Sequence, residues 1–84
     1  MEDTPEFLAG LIADVIRHFI QTGAQAEREG RFADAEAIYR DWMAKLPMDP
    51  RAKWSLALLL LSDGRYEEAW PLYEARHEIP ELRL

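Results

Sequence analysis

Apolar residues in the first part of the chain recur in adjacent pairs, one pair every four residues. A step of four residues overshoots one turn of a 3.6-residue helix by about 40°, so the apolar stripe winds slowly around the helix. This pattern predicts a long amphipathic helix over residues 5–29, with Thr4 as its N-cap and Pro5 in its first turn. The apolar pairs are Phe7/Leu8, Leu11/Ile12, Val15/Ile16 and Phe19/Ile20.

Glycine and proline divide the rest of the chain into three further predicted helices, so the predicted fold class is all-α. Gly30 and Gly64 lack a Cβ atom and can adopt the left-handed backbone that ends a helix. Pro47 and Pro50 disfavour helical backbone in the residues before them, and Asp49 is suited to cap the helix that starts at Pro50. The predicted helices cover residues 33–46, 50–62 and 66–77.

The segment 30–39 recurs as the segment 64–73, at an offset of 34 residues. Four positions are identical, and other positions exchange Phe with Tyr, Asp with Glu and Ile with Leu. In both segments a small alanine lets another backbone approach, and a tyrosine one helical turn later can fill the space beside it. These features predict two helix–turn–helix repeats. The identical pairs are Gly30/Gly64, Arg31/Arg65, Ala35/Ala69 and Tyr39/Tyr73.

A 34-residue helix–turn–helix unit with glycine at the turn, then alanine and tyrosine, resembles the tetratricopeptide repeat. The resemblance implies a single all-α domain in which an array of two repeats follows an extended N-terminal helix. The sequence departs from the family pattern where a late alanine of the second helix is replaced by Trp42 and Arg76. The implied domain covers residues 1–84, with a helical arm at 5–15, repeat 1 at 16–49, and repeat 2 with the tail at 50–84.

In this family the inner faces of the first helices line a concave groove that binds a helix or a peptide. The leucine run 58–61 covers too much of its helix for one neighbour, so Leu59 and Leu60 are assigned to the core. Leu58, one turn after Trp54, then faces the groove, where it either binds a peptide or packs against another helix of the chain or assembly. The resemblance places six candidate groove residues: Arg17, Ile20, Arg51, Trp54, Leu58 and Leu61.

The arm carries an apolar face that is expected to be covered, because a large exposed apolar patch favours aggregation. It can be covered by folding back as a cap onto the repeats or by a second molecule. Two repeats fall short of the three usually needed to bury a continuous core, which favours pairing of the first helices in a homodimer. The candidate self-association residues are Phe7, Leu8, Leu11, Ile12, Val15 and Ile16.

The fourth predicted helix supports an alternative interpretation. Residues 64–76 resemble the last repeat before the catalytic domain of bacterial tetratricopeptide glycosyltransferase-like proteins, with Trp70, Tyr73, Glu74 and Arg76 in the matching string. The resemblance implies an N-terminal segment of a larger enzyme whose transferase domain would follow residue 84. If this resemblance has no functional meaning, Trp70 and Tyr73 are packing residues, and Glu74 and Arg76 form a solvated pair.

Composition narrows the possible partners to proteins or peptides. Ten basic and 16 acidic residues give a net charge of −6, which disfavours nucleic acids and anionic membrane surfaces. Asp14, Arg17 and His18 interrupt the first apolar stretch, so it is not expected to span a membrane.

The absence of cysteine leaves the cytoplasm as the default location. His18 and His77 are predicted on different helices, so we expect no cofactor, no metal site and no catalysis by this segment alone.

Overall fold

The structure is a computed structural model that describes the backbone of residues 3–79 and the side chains from residue 10 onward. Within that range the chain is all-helical, and four α-helices are followed by one short 3₁₀ helix. The coarse fold prediction is therefore confirmed. The elements are α1 (Asp3–Arg28), α2 (Phe32–Lys45), α3 (Pro50–Ser62), α4 (Tyr66–Tyr73) and the 3₁₀ helix Glu74–Glu78.

The predicted start of α3 is confirmed together with its cap. The Asp49 carboxylate accepts a hydrogen bond from the backbone N–H of Arg51 at 3.1 Å, and Pro50 occupies the first turn. The cap predicted at Thr4 is wrong, because α1 already begins at Asp3 and Thr4 lies inside it.

The fourth α-helix is shorter than predicted. It ends at Tyr73, and the next five residues form the tighter 3₁₀ helix. Pro71 lies inside α4, where it has no N–H to donate and its ring crowds the carbonyl four residues earlier. The regular hydrogen-bond ladder therefore stops soon after the proline.

The two turns that join helices within each half of the chain have the same local geometry. Gly30 and Gly64 have φ angles of 75° and 80°, in the region that glycine adopts without strain. The residue after each glycine donates its backbone N–H to a carbonyl five residues back, from Arg31 to Ala26 at 2.8 Å and from Arg65 to Leu60 at 2.9 Å.

The helices pack in chain order, α1 on α2, α2 on α3 and α3 on α4, and the 3₁₀ helix returns onto α3. The core between them is built around Trp42, which is fully buried, with its ring 5.8 Å from that of Phe19 in a stacked arrangement. Ala35 and Ala69 are also fully buried and permit close approach of neighbouring helices. Trp42, a departure from the family pattern in the sequence, is thus the centre of the core.

The first helix is much longer than the helix that covers it. α1 has 26 residues and α2 has 14, which correspond to lengths of about 39 and 21 Å. Phe19 contacts Trp42, and α2 ends about one turn later at Lys45. The arm, residues 5–15, therefore extends past the end of α2.

Candidate interaction surface

The arm is the main exposed apolar surface on α1. Leu11, Ile12 and Val15 are 49%, 47% and 41% exposed, whereas Ile16 is half-buried against the core. In the described part of the chain α1 packs on α2, and Ile12 and Ile16 share a cavity with Pro50 and Arg51 at the start of α3. The side chains of Phe7 and Leu8 lie outside the described residues.

A cavity opens at the base of the arm, where α2 ends and the chain turns towards α3. Its volume is about 480 Å³, and it is widely open to solvent. Met48, in the connection between α2 and α3, is 77% exposed at its rim. The basal cavity is lined by Ile12, Ile16, Leu46, Met48, Asp49, Pro50 and Arg51.

One candidate groove residue belongs to the wall of the basal cavity. Arg51 donates from Nε to the Asp49 carboxylate at 3.0 Å, and the Asp49 side chain is buried while that of Arg51 is half-exposed. The guanidinium therefore already has an acidic partner within the chain. It lies at the polar edge of the cavity.

The other candidate groove residues divide between exposed and covered positions. Ile20 and Leu58 are exposed, and Arg17 is exposed and paired with Asp14 at 2.8 Å. Trp54 is half-buried, with its ring centre 4.9 Å from that of Tyr73, and Leu61 packs against the core. Leu59 and Leu60 are buried, which confirms their assignment to the core.

The backbones of α1 and α3 are not adjacent. Among the described residues, no Cα atom of α1 lies within 8 Å of a Cα atom of α3. Ile20 on α1 and Leu58 on α3 are exposed positions on helices whose backbones do not approach each other closely. The basal cavity is a place where residues from different elements surround a common apolar space.

The two signature tyrosines have different environments. Tyr39 is buried beside Gly23 and donates a hydrogen bond to the Glu27 carboxylate. Burial first, and then this acidic neighbour, raise the pKa of the Tyr39 hydroxyl. Tyr73 is half-buried and belongs to an aromatic cluster in which Trp70 packs edge-on at 5.4 Å and the Arg76 guanidinium lies 5.2 Å from the ring centre.

The sequence interpretation did not identify the ion pairs that join the two halves of the chain. Arg65 donates to Glu36 on α2 at 2.7 Å and to Glu68 on α4 at 2.8 Å. The hydrogen bond from Arg65, supported by Arg40, lowers the pKa of Glu36, and Arg65 also lowers the pKa of Glu68. The sequence did contain a signal for these ion pairs, because an arginine follows each turn glycine. Arg31, at the position equivalent to Arg65, also makes ion pairs, although its partners are local.

Within residues 3–79, of which the side chains are described from residue 10 onward, there is no cluster of three or more residues suited to hold a metal ion. His18 and His77 are both exposed, and His77 lies 3.4 Å from Glu74. In the same range no α-helix combines the length and the apolarity needed to cross a membrane. No protein-family model matches the sequence, and no match was found among curated proteins or solved structures.

Proposed function

We propose that this chain is a non-catalytic protein–protein interaction module of the tetratricopeptide type that self-associates through its first helix. The matching turns at Gly30 and Gly64 and the fully buried Ala35 and Ala69 support the repeat assignment. The main observation in support of this function is the exposed apolar face of the arm. It continues, beyond the end of α2, the face of α1 that is buried in the core.

The exposed apolar side chains of the arm and its surroundings favour association of two copies. Leu11, Ile12, Val15 and Met48 are each between two-fifths and four-fifths exposed. Burying the exposed part of such a side chain contributes about 1 kcal/mol, so the eight in a dimer contribute about 8 kcal/mol. Association itself costs between about 4 and 15 kcal/mol, so this gain favours a dimer without setting its affinity, and we expect the dimer to depend on protein concentration.

Molar mass from light scattering over a hundredfold range of concentration tests the proposal. The double variant Leu11→Asp, Val15→Asp places carboxylates in the interface, where burying them without a partner is costly. We expect its dissociation constant to rise more than about 100-fold, or about 2.7 kcal/mol. The control Gln21→Asp, Ala37→Asp adds the same charge at exposed positions outside the arm and should remain dimeric. A parent chain that stays monomeric at every concentration would contradict self-association.

The module also offers exposed apolar positions on the first helix of each repeat. Ile20 on α1 and Leu58 on α3 are the exposed apolar members of the predicted concave face. We propose that these positions contact a helix or peptide that belongs to a different protein and not to a second copy of this chain. Binding that survives in the Leu11→Asp, Val15→Asp monomer would distinguish this surface from the arm.

A second candidate function is an accessory segment of a bacterial glycosyltransferase. The observation that favours it is Trp70, which is 52% exposed on the last α-helix next to Tyr73 and Arg76 and could receive a following domain. The reading frame after the codon for Leu84 tests this candidate. A frame that continues into a transferase domain supports it, and a stop codon at that point excludes it.

A further inference from the structure

We propose that the outer face of α4, formed by Glu67, Trp70 and the following Glu74, binds a basic amphipathic helix of another protein. This surface adds a second partner site to the interaction module proposed above. It rests on the repeat assignment of that module but not on self-association through the arm, so either can fail without the other.

The equivalent face of α2 is covered by a helix of the same chain. Glu36 lies 34 residues before Trp70, and it lines a small cavity between α2 and α3 together with Leu59 and Asp63. Arg65, in the turn after α3, donates to the Glu36 carboxylate at 2.7 Å. This fold thus places a leucine-bearing helix, followed by an arginine, against that face.

The outer face of α4 has no such cover in the part of the chain that the structure describes. There α4 packs on α3 and is followed by the 3₁₀ helix, with no further element against it. Trp70 is 52% exposed, whereas the equivalent Glu36 is half-buried. Phe32 and Tyr66, the first residues of α2 and α4, are exposed alike, so that position stays open with or without a covering helix.

The two faces differ in charge. On α2 the carboxylate of Glu36 accepts a hydrogen bond from Arg40 at 2.9 Å, so the covered face is neutral. The positions equivalent to Ala33 and Arg40 hold Glu67 and Glu74. The outer face of α4 therefore carries two carboxylates and no cation of its own, and it is complementary to a basic partner.

The exposed indole lies between these two carboxylates. Glu67 is one turn before Trp70 and Glu74 is one turn after it, so the three share one side of the helix. Among residues 10–79 the ion pair of Glu74 is with His77 at 3.4 Å, while the Arg76 guanidinium lies over a tyrosine ring of the aromatic cluster. A lysine or arginine of a partner can contact the face of the indole and a carboxylate together.

A second copy does not offer a matching helix. α1 is the repeat equivalent of α3, but Gln25 and Glu29 stand where α3 has Leu59 and Asp63. Gln25 donates to the Glu29 carboxylate at 3.0 Å, so this side of α1 is polar, as expected at the end of a repeat array. The arm, residues 5–15, is apolar but contains no lysine or arginine. The net charge of −6 also opposes the approach of a second copy.

Titration calorimetry with two synthetic peptides tests the partner chemistry. One is an amphipathic helix of leucine and lysine with the 13-residue length of α3, and the other has glutamate at every lysine position. We expect the lysine peptide to bind at least about tenfold more tightly than the glutamate peptide. Equal binding of the two peptides, or no binding of the lysine peptide, would overturn the inference.

Substitution of the indole tests the site. Trp70→Ala should raise the dissociation constant of the lysine peptide at least about tenfold, because the exposed ring supplies both apolar area and a cation–π contact. Phe32→Ala removes a ring of similar exposure from α2 and should leave the constant within a factor of about three. The helical circular dichroism of both variants should match that of the parent chain. An unchanged constant for a folded Trp70→Ala variant would overturn the inference.

Substitution of the carboxylates separates local recognition from net charge. Glu67→Gln, Glu74→Gln should weaken binding of the lysine peptide at least about fivefold. The control Asp14→Asn, Asp41→Asn removes the same charge at exposed positions on α1 and α2 and should change binding less than about twofold. Equal losses for the two double variants would mean that net charge alone attracts the peptide, and would overturn the site.

Tryptophan fluorescence identifies the occupant independently. Of the three tryptophans Trp42 is fully buried, Trp54 is half-buried and Trp70 is exposed, so quenching by acrylamide reports mainly on Trp70. Quenching should fall when the lysine peptide binds. A fall with rising protein concentration and no peptide would mean that a second copy covers Trp70, and would overturn the choice of partner. A monomeric parent chain that binds the peptide would support this surface while contradicting self-association.

Discussion

The two halves of α1 carry the same apolar periodicity and differ in what lies against them. In the second half Phe19 and Ala26 are buried against α2, and Gly23 lies against the ring of Tyr39. In the first half Leu11, Ile12 and Val15 continue the same apolar face, yet they remain exposed because α2 has ended. An amphipathic pattern therefore shows which face of a helix is suited to burial, and the length of the neighbouring helix determines how much of that face the chain buries itself.

Alanine substitution on the two halves should give the largest difference in stability. Phe19→Ala removes a buried ring that stacks on Trp42, and we expect it to lower the free energy of unfolding by about 3–5 kcal/mol. Val15→Ala in the arm should change the stability of the monomer by less than about 0.5 kcal/mol. Urea unfolding at a concentration where the chain is monomeric measures both values. Equal losses for the two variants would show that the arm is packed within the monomer.

Glycine-to-alanine substitution should have opposite signs in the two halves of the same helix. Around Gly10 in the arm there is open space, so Gly10→Ala should stabilise the chain by about 0.5–1 kcal/mol through lower backbone entropy of the unfolded state. A Cβ atom at Gly23 would overlap the ring of Tyr39, whose hydroxyl is held by Glu27. Gly23→Ala should therefore destabilise the chain by about 1–3 kcal/mol despite the same gain in helix propensity.

Thermal melting of the two glycine variants beside the parent chain makes this comparison. The midpoint should rise for Gly10→Ala and fall for Gly23→Ala. A rise for both variants would mean that Tyr39 moves aside without cost, so the close packing of α1 on α2 would not depend on the absence of a side chain at position 23.

Local signals allowed much of the fold to be predicted. Asp49 and Pro50 define the start of α3 through a cap and a fixed φ angle, and both act within three residues of sequence. Gly30 and Gly64 likewise end helices through their own backbone conformation. The predicted end of α4 was less accurate. The α-helix ends at Tyr73, two residues after Pro71, and a 3₁₀ helix follows it.

Features that depend on contacts between distant residues could not be predicted. Trp42 differs from the small residue of the repeat pattern, and only the packing of α1 on α2 shows that its ring belongs to the core. Met48 had no chemical signal of its own in the sequence. It becomes a candidate contact because the fold places it, exposed, at a cavity shared with Ile12 and Ile16, which are more than 30 residues away.

The smallest expected effect concerns polar contacts, which also distinguish the two regions. The pair Asp14–Arg17 at the end of the arm is local, whereas Arg65 and Glu36 pair across 29 residues of sequence and join the turn before α4 to α2. The pKa of Glu36 is lowered in the folded chain by its hydrogen bond from Arg65. A lowered carboxyl pKa contributes stability above the unfolded pKa of about 4.3, and this contribution is lost as pH falls through the lower, folded pKa.

Glu36→Gln should therefore cost less than about 1 kcal/mol at pH 7, because the pair is partly exposed to solvent, and should cost less still at pH 3. Thermal melts of Glu36→Gln, Arg65→Gln and the double variant at the two pH values form a mutant cycle that isolates the pair. We expect a favourable coupling at pH 7 that shrinks towards pH 3. A coupling that is the same at both pH values would mean that the ionised carboxylate of Glu36 contributes nothing to the contact between α2 and the turn before α4.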